Sequence, residues 1–498
     1  MSSLTLQQWQ QKADQLIICG QAYINGQYVD ALSGKTFVSK SPIDGRELAQ
    51  IAECGEADVD AAVACARLAF DSGVWSETKP AFRKKIMQAL ANLMETNKQE
   101  LALLETLDMG KPITTALGDV DSSINSIRWY AEAIDKVYDE IAATGPTELG
   151  MITRQPLGVI GAIVPWNFPL SMACWKLGPA LATGNSVVLK PSEKSSLTAI
   201  RLAALATQAG LPDGVLNVLP GFGGEAGQAI GLHMDIDGLA FTGSTGVGKR
   251  LFEMAGQSNM KRVFVECGGK SPNIVFADCP DLDAAAQSAA AGIFYNQGEV
   301  CVAGSRLLIE ASIKELFLEK VIACGKTMTP SNPLDPSTFM GAIVDEVQLS
   351  RVKDYIEIGK SEGAVLRAGG ARVMEETGGL YLEPTIFDSV DENMTIAQDE
   401  IFGPVLATIS FDTEQQALAI ANNSQYGLAA AVWTSNLSRA HRVARKLRAG
   451  TVWVNCYFGG DMTMPFGGFK QSGNGRDKSL HALDKYTEIK STWINLNN

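Results

Sequence analysis

Histidine is scarce in this sequence: His233, His441 and His481 are the only three in 498 residues, and no two are close along the chain. A histidine-based catalytic triad or zinc site therefore has little raw material, and any nucleophile must be activated by another group. Paired cysteine motifs are missing as well. The nine cysteines (Cys19, Cys54, Cys65, Cys174, Cys267, Cys279, Cys301, Cys324 and Cys456) are an odd, scattered set without a CxxC. That argues against a disulfide framework or a structural metal and fits a reducing cytoplasm. Positive charge is short too, 42 Lys and Arg against 55 Asp and Glu, a net −13 with no basic block. Nucleic acid and anionic membrane are poor partners for such a chain. The N-terminal MSSLTLQQWQQKADQ lacks the charged-then-apolar layout of a signal peptide. One uncharged run, Pro156 to Trp175, is long enough to span a bilayer, but it carries Pro156, Pro165, Pro169 and Asn167, which lipid disfavours.

What is present is 46% apolar and 19% charged residues, in a length that predicts about three folding units with large cores. Short β-branched runs alternate with helical stretches from Gly158 onward: Gly158 to Val164, Ser186 to Lys190, Val215 to Leu219, Gly238 to Phe241 and Arg262 to Glu266. Near-continuous apolar strands with helical crossovers predict a doubly wound α/β domain around a parallel sheet. A second series, Asn273 to Ala277, Arg306 to Glu310, Val405 to Ile409 and Ala429 to Thr434, predicts another. Tyr23 to Asp30 carries an Asn25-Gly26 hairpin signal, and residues 58 to 140 read mostly as amphipathic helices. Two peripheral pieces, about 137 to 155 and 479 to 498, alternate polar and apolar residues; they can pair with each other or with another subunit.

Gly243 to Arg250 (GSTGVGKR) nearly matches a triphosphate-binding loop, but Arg250 stands where a magnesium-binding hydroxyl is needed. The same glycines after a strand suit a dinucleotide phosphate, and Gly221 to Ala226 fits GxGxxA. Neither run alone separates a phosphate grip from a plain turn. Cys301 lies among small residues in FYNQGEVCVAGSR; Glu266 ends a strand; Asn167 follows one, between prolines that stiffen its loop. Thiol, carboxylate and carboxamide form a coherent set. The thiolate attacks a carbonyl, the amide N–H steadies the oxyanion, and the carboxylate takes a proton from water. A thiol amidase is the rival enzyme, and it needs a histidine near Cys301 to protonate its leaving amine.

Seven motifs in order, VPWNFP (164–169), VVLKPSE (187–193), FTGSTGVG (241–248), VECGGKSPN (265–273), NQGEVCVAGSR (296–306), EIFGPV (400–405) and PFGGFKQSGNGR (465–476), resemble the NAD(P)-dependent aldehyde dehydrogenase superfamily over essentially the whole chain. The resemblance implies two α/β domains, a Rossmann-like cofactor domain (1–136 and 156–267) and a catalytic domain (268–478), with a small β oligomerisation piece (137–155 and 479–498) building a homodimer or homotetramer. It implies Cys301 as nucleophile, Asn167 with the Cys301 N–H as oxyanion hole, and Glu266 as the base for the deacylating water. Thiohemiacetal formation, hydride transfer and thioester hydrolysis would follow in turn. Because Glu266 is present, a coenzyme-A-acylating reaction is disfavoured.

For the cofactor the resemblance implies Pro165, Trp166, Lys190, Ser192, Glu193, Gly223, Phe241, Gly243, Ser244, Gly246, Gly248, Glu400 and Phe402. Glu193 on the ribose would repel a 2′-phosphate, so NAD is expected to be preferred, with NADP tolerated. By position Phe168, Met172, Trp175, Tyr295, Tyr457, Phe458 and Phe466 should line an apolar substrate tunnel. Gly459 and Gly460 would open its mouth, with Asp119, Asp121 and Asp461 placed to attract an ammonium group. Two departures from the family pattern stand out. Cys267 replaces a leucine, and Asp477-Lys478-Ser479 replaces Glu-Leu-Gly. The ending LHALDKYTEIKSTW resembles the bacterial γ-glutamyl-γ-aminobutyraldehyde dehydrogenases of putrescine breakdown, with a broad aliphatic or betaine-type aldehyde dehydrogenase as the alternative. A catalytically silent scaffold on this fold should have lost Cys301 or Glu266, and both are present.

Overall fold

The computed structural model describes residues 4–497. Its two large sheets each have seven strands. In the first, the spatial order is Arg262–Glu266, Gly238–Thr242, Val159–Ile163, Ser186–Lys190, Leu216–Val218, Ala22–Ile24 and Gln27–Val29. The first five are parallel, and the last two form the hairpin that Asn25-Gly26 predicts. Alternate residues feed opposite cores: Ile160, Ala162, Val187 and Leu189 face one, while Val159, Val188, Leu239 and Val265 face the other. Both faces are covered, as continuous apolar strands require.

The register decides what lies along the carboxyl edge. Thr242 pairs with Glu266, Phe241 with Ile163, and Ile163 with Lys190. The loops that follow these strands, which carry Asn167, Gly243 and Cys267, therefore leave the sheet side by side, where doubly wound folds hold ligands.

In the second sheet the order is Val365–Ala368, Thr385–Asp388, Val405–Phe411, Arg306–Glu310, Pro272–Val275, Ala429–Trp433 and Thr451–Val454, parallel except for the first. Ile274 and Leu308 face one core, Val275, Leu307 and Ile309 the other. Only residues 267–271 separate Glu266 from Pro272, so the two sheets are tied closely beside Glu266.

The two peripheral pieces pair with each other: Thr487–Asn495 runs antiparallel to Glu148–Pro156, which also pairs with Glu140–Ala142. Arg262 donates to Glu488 Oε2 at 2.5 Å, fastening this small sheet to the strand that ends in Glu266. The uncharged run from Pro156 is a buried strand followed by the helix Pro169–Ala182, with proline in its first turn. Among the described residues no helix is long and apolar enough to cross a membrane.

Candidate active site

A cleft of about 560 Å³ opens where the two sheets meet, and Asn167, Glu266 and Cys301 all line it. The loop into Cys301 is held in an unusual backbone shape. Asn296 and Gln297, both buried, have φ of 49° and 57°, a region that costs a non-glycine residue free energy and persists only where surroundings enforce it. The enforcing contacts are visible: Asn296 Nδ2 donates to the Asn167 and Glu299 carbonyls at 3.2 and 3.3 Å, and Gln297 Oε1 accepts from the Gly341 N–H at 2.9 Å.

Asn167 is joined to the same loop. One Nδ2 proton goes to the Glu299 carbonyl at 2.8 Å, and a carboxamide has a second to offer the cleft. The Cys301 thiol is pushed up to about 12 by burial, with the Glu400 and Glu266 carboxyls adding to the effect; the N–H groups of Val302 and Cys301 pull the other way. The sulfur must shed its proton to attack an electrophile.

Glu266 is buried, and neither carboxylate oxygen has a hydrogen-bond partner. Glycines make room for it: a Cβ on Gly467 or Gly475 would come within 2.7 or 2.9 Å of Oε1. Burial, reinforced by Asp477, raises the Glu266 carboxyl well above the usual carboxylate range, while Lys176, Lys485 and Arg476 oppose the rise. Asp477 is gripped by both Lys176 and Lys485. Burial alone would raise its carboxyl, but the two lysines hold it below the ordinary range. An unpartnered buried acid whose proton is held more tightly than usual, in a cleft with a thiol, is a candidate functional group.

At the other end Pro165, Trp166, Gly243, Ser244, Glu400 and Phe402 line the cleft, with the Trp166 and Phe402 rings edge to face at 5.2 Å. Gly268 lets Glu400 approach, since a Cβ there would lie 1.9 Å from Oε2, and the Gly269 N–H donates to Oε1 at 3.0 Å. Burial lifts the Glu400 carboxyl to about 7 against the pull of that N–H, Arg351 and Lys270. Phe402 has φ of 60°, and Gln348 Nε2 donates to its carbonyl at 2.7 Å.

This end fits a nicotinamide dinucleotide. The Thr242 hydroxyl is buried in the cleft wall without a partner, where a carboxamide would satisfy it. Ser244 caps the helix Thr245–Gln257, and beyond the cleft Gly223 and Gly246 have open space around them for a phosphate chain. Lys190 Nζ lies 3.6 Å from the Glu193 carboxylate, and the Ser192 hydroxyl accepts from the Lys194 N–H at 3.3 Å.

Four predicted contacts need correction. Phe241 is core packing, its ring buried beneath Gly243. Gly248 faces the protein: a Cβ would lie 3.0 Å from the Cys267 sulfur, so small size here seats the helix on its strand. Tyr457 is behind the tunnel, donating to the Val302 carbonyl at 2.8 Å and packing by Gly292 and Gly304, where it braces the Cys301 loop. Asp461 is exposed and spent on the Thr463 N–H and hydroxyl at 2.8 and 2.6 Å. Asp121 is likewise held at the surface by Lys98, whereas Asp119 is buried in the cleft wall with its carboxylate paired to Lys111.

Phe168, Met172, Trp175, Tyr295, Phe458 and Phe466 do line the cleft, and so do Gly459 and Gly460. Their rings run together: Phe168 with Tyr295 at 6.5 Å, Tyr295 with Phe458 at 5.7 Å, and Trp175 with Phe466 at 5.2 Å. Sequence reasoning missed Thr242, Trp453 and Lys478 in the lining, and Asn296 as the clamp. Thr242 and Asn296 fell inside family motifs and Lys478 inside the Asp-Lys-Ser departure; Trp453 left no signal.

Cys267 is buried with its sulfur packed against Gly248, between the helix and its strand; burial, with Glu266 and Glu400 contributing, pushes its thiol up to about 12. Cys267→Ala is expected to keep most of the turnover while lowering stability by about 1 kcal/mol, measured by steady-state assay and denaturant unfolding.

The fold, with a thiol, a carboxyl and a carboxamide lining one cleft, is that of an aldehyde-oxidising enzyme. The chain belongs to the aldehyde dehydrogenase family, whose model matches residues 28–492. It is 57% identical over 489 residues to the NADP/NAD-dependent aldehyde dehydrogenase PuuC of Escherichia coli, covering 98% of both chains. Among solved structures, an indole-3-acetaldehyde dehydrogenase of P. syringae, in complex with NAD+ and IAA, matches at 63% identity and TM-score 0.99, over 99% of this chain and 100% of that one. A γ-glutamyl-γ-aminobutyraldehyde dehydrogenase from Burkholderia cenocepacia matches at 60% and 0.98, with the same coverage. This protein is accordingly an NAD(P)-dependent aldehyde dehydrogenase.

Proposed function

We propose that the enzyme oxidises γ-glutamyl-γ-aminobutyraldehyde, or another ω-aminoaldehyde of putrescine breakdown, to its acid. The reading is carried by the aromatic cleft, whose lining includes Gly459 and Gly460, with open space where a Cβ on Gly460 would lie. The name of the Burkholderia cenocepacia relative supports it. An aryl acetaldehyde is the second reading, favoured by the ring-lined walls and the P. syringae neighbour.

In the first half-reaction the Cys301 thiol gives its proton to water in the cleft as its sulfur attacks the aldehyde carbon, and the free Asn167 Nδ2 proton and the Cys301 N–H hold the oxyanion. Bound NAD(P) supplies the acceptor for the hydride that leaves that carbon. In the second half Glu266, once ionised, takes a proton from the water that hydrolyses the thioester. Residues 1–136 and 156–267 hold the cofactor, with Lys190, Glu193, Gly223, Ser244 and Gly246 along the adenosine and pyrophosphate and Glu400 with Phe402 at the nicotinamide ribose. Residues 268–478 carry the nucleophile. Segments 137–155 and 479–498 join copies into a dimer or tetramer, for which the exposed Ile489 and Trp493 on an edge strand are suited. Nine free thiols suit a cytoplasmic setting.

The test is kcat/KM for γ-glutamyl-γ-aminobutyraldehyde, indole-3-acetaldehyde and propanal, each with NAD and NADP. The expected order places the γ-glutamyl aldehyde first and NAD ahead of NADP. A γ-glutamyl aldehyde no better than propanal would remove the substrate assignment.

A further inference from the structure

Asp477 is fully engaged by Lys176 and Lys485, yet the next residue, Lys478, makes no hydrogen bond or ion pair among the described residues. Its Nζ lies 5.7 Å from the centre of the Trp175 ring, and it lines the cleft together with Trp175, Phe466, Gly459 and Gly460. The backbone puts it there. Lys478 and Ser479 have φ of 61° and 52°, consecutive left-handed residues that neither side chain favours. Paired backbone hydrogen bonds of 2.7 Å between Asp477 and Phe466, and one of 2.8 Å from the Ser479 N–H to the Met462 carbonyl, pin the turn on both sides.

The other charges of the cleft are occupied or remote from this wall. Asp119 pairs with Lys111, and Arg351 Nη2 donates to the Glu400 carbonyl at 2.8 Å at the cofactor end. Asp461, the acid that attracts Lys478, forms no ion pair with it and spends its carboxylate on Thr463. The substrate wall thus presents one uncommitted cation among aromatic rings, the reverse of the acidic mouth expected from sequence. Such a cation attracts a carboxylate and repels a free ammonium.

We propose that Lys478 is a specificity-determining residue that selects aldehydes bearing a carboxylate at the end remote from the carbonyl. The inference deepens the proposed function and rests on its placement of the aldehyde at Cys301: of the ω-aminoaldehydes, the γ-glutamylated one carries such a carboxylate, whereas a free ω-aminoaldehyde carries only the ammonium that Lys478 disfavours.

The test measures kcat/KM for a medium-chain ω-oxo acid and for its methyl ester, equal in reach but uncharged, with wild type, Lys478→Met and Lys478→Arg. The acid-to-ester ratio is expected to fall about tenfold or more in the Met variant, through KM for the acid, and to be largely kept in the Arg variant. An unchanged ratio in Lys478→Met, or an equal fall for acid and ester, overturns the inference, the latter by reducing Lys478 to packing on Trp175. If the Met variant does not fold, Lys478→Gln takes its place with the same expected fall. Assaying γ-glutamyl-γ-aminobutyraldehyde alongside separates the two readings. A Lys478-dependent acid-to-ester ratio with poor γ-glutamyl turnover removes the proposed substrate and keeps the carboxylate site. Good γ-glutamyl turnover without that ratio does the opposite.

Discussion

Replacement of Cys301 by alanine is expected to abolish aldehyde-dependent reduction of the nicotinamide, a loss of about 10⁴-fold or more. The physical reason is that sulfur is the strongest nucleophile in the cleft and Cys301 carries it on the loop to which Asn167 is bonded. Cys267 also lines it but is buried against Gly248, and the carboxylates of Glu266 and Glu400 are weak nucleophiles toward an aldehyde. Without the sulfur no tetrahedral oxyanion forms, so Asn167 has nothing to stabilise. The assay requires that the variant still binds NAD, read by quenching of protein fluorescence. Substantial turnover by a folded, NAD-binding Cys301→Ala protein would remove covalent catalysis from the account.

Glu266→Gln is expected to behave differently. The first half-reaction needs the sulfur and the oxyanion donors, so a pre-steady-state burst of about one reduced nicotinamide per site survives. The following steady rate falls about 10²- to 10⁴-fold, the ordinary contribution of a general base. A pH profile gives the same assignment a sign. Because burial and Asp477 raise the Glu266 carboxyl well above the usual carboxylate range, its ionised, base-active fraction grows as pH rises through that elevated pKa. Wild-type hydrolysis should therefore fall on acidification at a pH where an exposed carboxylate is still ionised, and the Gln variant should lack that limb. Loss of the burst in Glu266→Gln would move this residue from hydrolysis to activation of the thiol.

The parts of this molecule that local chemistry dictates were open to sequence reasoning. Fully buried parallel strands such as Ser186–Lys190 announce themselves by continuous β-branched residues, and Glu266 by ending one of them. The strands Val365–Ala368, Thr385–Asp388 and Thr451–Val454 escaped because they are short, partly exposed or rich in polar residues, and tertiary pairing rather than propensity makes them strands. Motif order pointed to the three catalytic candidates, but position along the chain says nothing of which way a side chain turns. Phe241 points into the core and Tyr457 backs the nucleophile's loop for that reason. Asp461 satisfies a local turn, an ordinary use of aspartate that competes with any substrate role. Lys478 shows the converse. Its exposure to the cleft depends on a left-handed backbone enforced by Phe466 and Met462, partners 12 and 16 residues away.

The chemistry attributed to the cleft rests on one covalent bond, between Cys301 and the aldehyde carbon, broken with the help of Glu266. Intact-protein and peptide mass spectrometry of Glu266→Gln, quenched in acid after brief exposure to aldehyde and NAD, tests it most directly. The predicted result is one acyl group added per chain, on the peptide that contains Cys301. An unmodified chain after a full burst, or an acyl group on another cysteine such as Cys267, would contradict it.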